Sequence, residues 1–384
     1  MRLRLVIYCL LLSMPLMAQQ DSIVERQSSG LRVSLLTCGP GFGEVWEVFG
    51  HAAIRVIDST HGIDYVYNYG TFNFGPDFIP QFVRGKLLYY VNINTYQGFI
   101  QEYVYANRSV EEQVLNIGDN DKEEIYAYLN WNAREENKYY KYDFFFDNCA
   151  TRLRDVFEES LGNSFEWGNA LPDGQQMSYR DIMNQYFYSK HWERFGVNLL
   201  LGSPTDSIMT NRGIMYLPDY LRNALAGARV HGEKITSKTE LVLKGGGMEP
   251  VGVNWPFILV IGLLSLTMLG LSIGSMSTLG NIMSFLLLFV SGALGCIMLL
   301  MWLATDHQAC QYNYNILWAL PTNLLLAFQT KRGKNKYAYL AIGLLIMSLL
   351  LHVVGIQKMA LLEFSPLLLS LVFIYGSIIR KNRK

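Results

Sequence analysis

From residue 251 to residue 330 the chain carries a single formal charge, Asp306. A stretch that long and that poor in charge can neither coat a water-soluble domain nor stay solvated as a disordered tail, so it belongs in lipid. In and beyond it, residues 256–273, 282–304, 337–355 and 361–379 are apolar runs of bilayer-spanning length. A further run, 316–328, is shorter and contains Pro321. Two forms fit it: a fifth helix extended back to Tyr312, or a re-entrant piece. Lys331, Arg332, Lys334 and Lys336 follow it, and Arg380, Lys381, Arg383 and Lys384 end the chain. The positive-inside rule puts both clusters in the cytoplasm. If the preceding domain is exported, an odd number of crossings must follow, and five satisfies both clusters.

The N-terminus supports export. Arg2 and Arg4 precede an apolar run, residues 5–17, too short to span comfortably, and Ala18 offers a cleavage point. An uncleaved anchor is the competing form. The expected order is a signal peptide at 1–18, an exported domain at 19–243, and a glycine-rich linker at 244–254. A transmembrane domain at 255–379 and a basic cytoplasmic tail at 380–384 complete it. The protein is thus expected to cross its membrane several times, with the large domain outside the cytoplasm. Lys plus Arg equals Asp plus Glu, 32 each. No basic stripe is present to displace counterions, so nucleic acid is not an expected partner.

Of five cysteines, Cys9 lies in the leader, Cys296 in an apolar run, and Cys310 just beyond one. Cys38 and Cys149 belong to the exported domain. In an oxidising compartment their first reading is a disulfide. No Cys-x-x-Cys or His-x-x-x-His spacing occurs, so no metal site and no cofactor are expected.

Two segments carry chemistry. Residues 52–58 and 65–72 read as the strands of a hairpin around a turn cluster at 59–64. If Asp58 opposes Tyr65, His51 lies near Phe72, with Asn68 and Gly70 on its face. A satisfied core histidine is the plainer reading. The second segment runs from Tyr140 through an aromatic stretch to Asp147, Asn148 and Cys149. Asp147 or Asn148 is a good N-cap, residues 150–161 read as a helix ended by Gly162, and Leu153, Val156, Phe157 and Leu161 supply its apolar face. Cys149 therefore heads a helix, where free N–H groups and the dipole favour thiolate and could hold an oxyanion. His51 is the expected base. Cys38 is the rival nucleophile, but it precedes a Gly-Pro-Gly turn with nothing to activate it.

The pairing of Phe49-Gly-His-Ala-Ala-Ile-Arg-Val56 with Asp147-Asn-Cys-Ala-Thr-Arg152 resembles circularly permuted papain-like folds, among them the NlpC/P60-like and lecithin:retinol acyltransferase-like groups. Nearly the whole chain is similar to the Bacteroidota lipoprotein N-acyltransferases called Lnb. The similarity extends through residues 67–72, 192–206, 215–218, 305–307 and 315–321. The resemblance implies an α+β chain in the bacterial inner membrane, with residues 19–243 a permuted papain-like periplasmic catalytic domain followed by an all-α membrane bundle of about five helices. It implies that Cys149 takes a fatty-acyl chain from a phospholipid donor as a thioester, with His51 as base. The acceptor would be the α-amine of a diacylglyceryl-cysteine lipoprotein. The third residue is open: some permuted relatives use a second His, but His61 sits in the turn, and Asn68 on the second strand fits better.

Asn148, Trp46, Glu47, Asp306 and His307 are supporting candidates. Trp46 and Glu47 could line the pocket or simply pack; Asp306 and His307 could meet headgroups or simply end a helix. Arg180 and Asp206 read as a structural ion pair. Two other functions stay open: a periplasmic NlpC/P60-like cysteine peptidase or amidase, and a non-enzymatic, membrane-anchored binding or assembly protein with a structural disulfide.

Overall fold

A computed structural model describes residues 30–171, 175–247, 249–329 and 334–381. The expected leader, together with Lys331, Arg332, Arg383 and Lys384, lies outside them.

The water-side part is built on a seven-stranded antiparallel sheet. Its strands are β1 (Leu31–Cys38), β2 (His51–Asp58), β3 (Ile63–Thr71), β4 (Leu88–Thr95), β5 (Val110–Leu115), β6 (Tyr139–Lys141) and β7 (Thr236–Leu243). Their spatial order is β7-β5-β1-β2-β3-β4-β6. The short helix α1 (Phe78–Arg84) leads into β4, and α2 (Tyr96–Tyr105) follows it. The strands near the centre are covered on both sides, because their alternation sends apolar residues each way. Val33, Leu35, Ile54 and Val56 face one core, shared with α3 (Asp119–Asn132) and α4 (Cys149–Leu161). Leu36, Cys38 and Ala53 face a second, smaller core under Phe99 and Tyr103 of α2. Leu153, Val156 and Phe157 of α4 are all but completely buried, each side chain stabilising by roughly 1.5–3 kcal/mol.

The β2–β3 hairpin differs from expectation in register. Asp58 pairs with Ile63, not Tyr65. The turn is tighter than the run of polar residues suggested, since Gly62 takes a positive φ and closes it. The shift is two residues, so facing is unchanged. The ladder also stops early, at Ile54–Tyr67; beyond it the two strands splay.

Among the described residues four helices are long and apolar enough to cross a membrane: α8 (Trp255–Ser272), α9 (Ser277–Ala304), α10 (Lys334–Val353) and α11 (Leu361–Lys381). The expected fifth helix is not one. The run after Tyr312 is a 3-10 turn at Tyr314–Leu317 and a six-residue helix at Asn323–Phe328. Pro321 cannot donate to a helix ladder, and asparagines at 313, 315 and 323 turn their amides elsewhere. The segment lies along α9, from Tyr312 beside Trp302 to Phe328 beside Phe285. Gly292 and Gly295 admit it: a Cβ at either would collide with the backbone of Leu324 or Ala319. Irregular backbone at this depth needs internal partners. Asn323 bonds Ser291, Tyr337 and Tyr375.

The two parts are closely docked. Between α7 (Pro218–Ala226) and the sheet on one side and the bundle on the other lie α5 (Tyr179–Tyr186) and α6 (His191–Leu200). Asn313 and Asn315 donate to the carbonyls of Asn198, Leu199 and Leu200 at the end of α6. Arg194 pairs with Glu363 at 2.6 Å, and Lys358 with Asp181 at 3.0 Å. Arg180 and Asp206 form the expected structural pair, buried and bidentate at 2.8 and 3.0 Å. The linker is not a free tether: Gly246 N–H donates to Asn107 O at 2.8 Å.

Candidate active site

The splay of β2 from β3 opens a notch, and the N-terminus of α4 enters it. Asn148 caps that helix. Its Oδ1 accepts from Thr151 N–H, its own N–H donates to Thr151 Oγ1, and its Nδ2 donates to the carbonyls of Phe144 and Tyr216. Every polar atom of that side chain is occupied in aiming Cys149, the first residue of the helix.

His51 meets Cys149 in the notch. Nε2 of the ring lies 2.7 Å from Asn68 Oδ1, so it carries the proton there, and Nδ1 remains for the thiol with which the ring is hydrogen-bonded. Burial opposes charge on both groups. Their mutual attraction and hydrogen bond outweigh it, with backbone N–H groups of Ala52 and Ala150 also aimed at the sulfur. The Cys149 thiol is therefore held below its ordinary value and the His51 imidazole above its own. Both shifts favour a thiolate–imidazolium pair. The Ala52 N–H is available because the ladder to β3 has ended before it.

Gly70 keeps the notch open. Its φ is +86°, and a Cβ there would stand 3.5 Å from Cys149 Cβ and 3.7 Å from His51 Cε1. Tyr89 and Tyr142, stacked at 4.1 Å, form a wall near the sulfur.

Cys38 sits across from His51 on β1. It is buried, and burial pushes its thiol up to about 12 despite a hydrogen bond with Tyr103 and the nearby Arg108. Cys38 and Cys149 are both free; no bridge joins them. His61 is bound to Asp58 in the turn at 2.6 Å and does not reach His51.

Apart from Asn148, the supporting candidates fall around the notch, not in it. Glu47 accepts from the N–H groups of Gly43 and Glu44 and faces Arg108 at 3.5 Å. Trp46 stands exposed on the 3-10 turn just before His51. Asp306 pairs with Lys141 at 2.6 Å, and the His307 ring bonds Phe82 O at 2.9 Å. The sequence places Gly70 on the face of His51, but neither its positive φ nor the role of the Ala52 N–H is visible there. The Tyr-Gly-Thr signal on a strand was visible, but only the end of a ladder gives it meaning. Among the described residues no cluster of His, Cys, Asp or Glu could hold a metal.

Two family models match. Residues 20–186 match the Lnb N-terminal periplasmic domain, and residues 244–384 match the Lnb transmembrane domain. Neither a curated protein nor a solved structure matches the chain significantly. A periplasmic domain joined to a transmembrane domain is the organisation of an inner-membrane protein.

Proposed function

The chain belongs to the Lnb family, and from that premise we propose that it is a membrane-bound lipoprotein N-acyltransferase whose nucleophile is Cys149. The observation that carries the reading is the hydrogen-bonded order Cys149–His51–Asn68 in a notch beside a membrane bundle. A nucleophile heading a helix, a histidine on a strand and an amide fixing its tautomer are the parts a papain-like cysteine enzyme needs.

In the proposed reaction the Cys149 thiolate attacks the carbonyl carbon of a phospholipid acyl ester. The tetrahedral oxyanion is met by N–H groups at the start of α4 and by Ala52. It collapses as the imidazolium of His51 gives its proton to the departing lysophospholipid oxygen. The acyl–sulfur thioester then awaits the α-amine of a diacylglyceryl-cysteine lipoprotein. The amine nitrogen attacks, neutral His51 takes its proton, an amide forms and the thiolate leaves. Asn68 holds Nε2 throughout, so that Nδ1 always faces the reacting atoms.

For the membrane part the proposed topology has five passes, the third interrupted at Pro321. The antiparallel course of that segment along α9 supports it, and so do Lys334 and Lys336 at the start of α10.

Intact mass spectrometry after incubation with phospholipid tests the reading. A fatty-acyl increment on Cys149 that hydroxylamine removes is expected, and Cys149→Ala should never gain it. A native chain that stays unacylated with every phospholipid offered would overturn the proposal.

A further inference from the structure

The helix α1 has no reason to exist in water. It is seven residues long, well short of what holds an isolated helix, and none of its residues is buried. Yet its sequence is largely apolar, and Phe74, Ile79, Phe82 and Val83 stand exposed on and before it. Grouped exposed apolar side chains mark a contact surface.

What lies beside α1 is the outer end of a membrane helix. Asp306 N–H donates to Arg84 O at 2.9 Å. The His307 ring bonds Phe82 O, and Gly85 packs on the backbone of Asp306 and His307. Asp306 is two residues past the end of α9. The apolar face of α1 is thus held level with the point where α9 leaves its lipid-facing run. A second exposed pair, Val45 and Trp46, sits across the notch. It is tied to the other membrane entry: Lys190 Nζ donates to Phe42 O at 2.8 Å and pairs with Glu249, just ahead of α8. Both patches run directly into the site. Trp46 is five residues before His51, and Phe74 four after Gly70. Ring contacts link Phe74 and Phe78 to Phe72, and Phe72 to Tyr89 at 5.0 Å.

We propose that Val45–Trp46 and the Phe74–Val83 segment are the two lips of the site and sit in the outer leaflet of the bilayer. A fatty-acyl ester then reaches Cys149 along Phe72 and Tyr89 without crossing water. The route for the acyl chain rests on the acyltransferase reading; insertion of the lips does not. Arg84 at the end of α1 and Asp77 at its start can reach back to headgroups while the face between them is in hydrocarbon.

The test uses the full chain in vesicles of phosphatidylethanolamine and phosphatidylglycerol. A nitroxide is placed at Ile79→Cys, or at Glu124→Cys on α3 as the aqueous control, in a chain lacking Cys9, Cys149 and Cys296. At position 79 relaxation by oxygen should exceed relaxation by a water-soluble nickel chelate, and at 124 the order should reverse. Equal nickel accessibility at the two positions would overturn the insertion. In the otherwise native chain, Phe74→Glu with Ile79→Glu should slow acylation of Cys149 from vesicles at least ~10-fold and leave its alkylation by iodoacetamide within ~2-fold. Unchanged acylation would overturn the route. A native chain that never acylates would instead remove the acyltransferase reading, with the nitroxide result standing apart from it.

Discussion

Cys38 and His51 are direct partners across β1 and β2, yet the histidine serves the thiol of Cys149, which reaches it from a helix on the sheet's other side. The difference is environmental. Cys38 is packed under α2 with Tyr103 and stays protonated. Cys149 has an imidazole and two aimed N–H groups. Cys38→Ala should therefore keep the acyl adduct, and iodoacetamide should label Cys149 and spare Cys38 when the peptides are mapped.

The rate of that alkylation should have a pH midpoint below 9.0, the ordinary value for cysteine, because the pair with His51 lowers the thiol. Below the midpoint the sulfur is protonated and the rate falls. In His51→Ala the favourable partner is gone while burial remains, so the midpoint should move up. A stopped-flow rate profile of both proteins checks the sign; a midpoint unmoved by the substitution would contradict the pairing.

Asn68 acts through His51, fixing its ring. Asn68→Ala should cut acyl transfer by roughly 10-fold or more with little change in melting temperature. Its alkylation profile should shift with the rate, a response that a loss of packing alone would not give.

Gly70→Ala adds a methyl group in contact with Cys149 Cβ and His51 Cε1, at a φ of +86°. A cost of about 1 kcal/mol from the backbone is expected. Acylation by long chains should be lost, while alkylation by a small reagent falls less. Comparing the two reagents on one preparation separates blockage from misfolding.

Arg180→Met should destabilise by about 3–5 kcal/mol, because it strands Asp206 in a buried place. Thermal unfolding of the detergent-solubilised protein measures it. The same substitution leaves the dyad untouched, so surviving folded protein should still acylate at pH values where the native chain does.

Much of this is legible in the sequence wherever the signal is local. Asn148 followed by an amphipathic stretch and Gly162 marks a helix over 150–161, and α4 runs from Cys149 to Leu161, one residue longer. The apolar runs gave four spans within a few residues. The hairpin was seen, but its register depends on the turn, and a positive φ at Gly62 is not written in hydropathy. The early end of the β2–β3 ladder was invisible too, because it is decided by α4 arriving from a distant part of the chain. The interrupted segment shows the same limit. Pro321 signalled a break, but only Gly292 and Gly295 on another helix explain how a broken chain is accommodated.

The asparagines at 313 and 315 cover carbonyls that α6 leaves open. Severed at residue 243, the water-side half would present those carbonyls bare, along with Arg194 deprived of Glu363. The lipid half is therefore better regarded as a wall of the water-side half than as its leash. A soluble fragment, however well it folds, is a different molecule from the one that works at the bilayer.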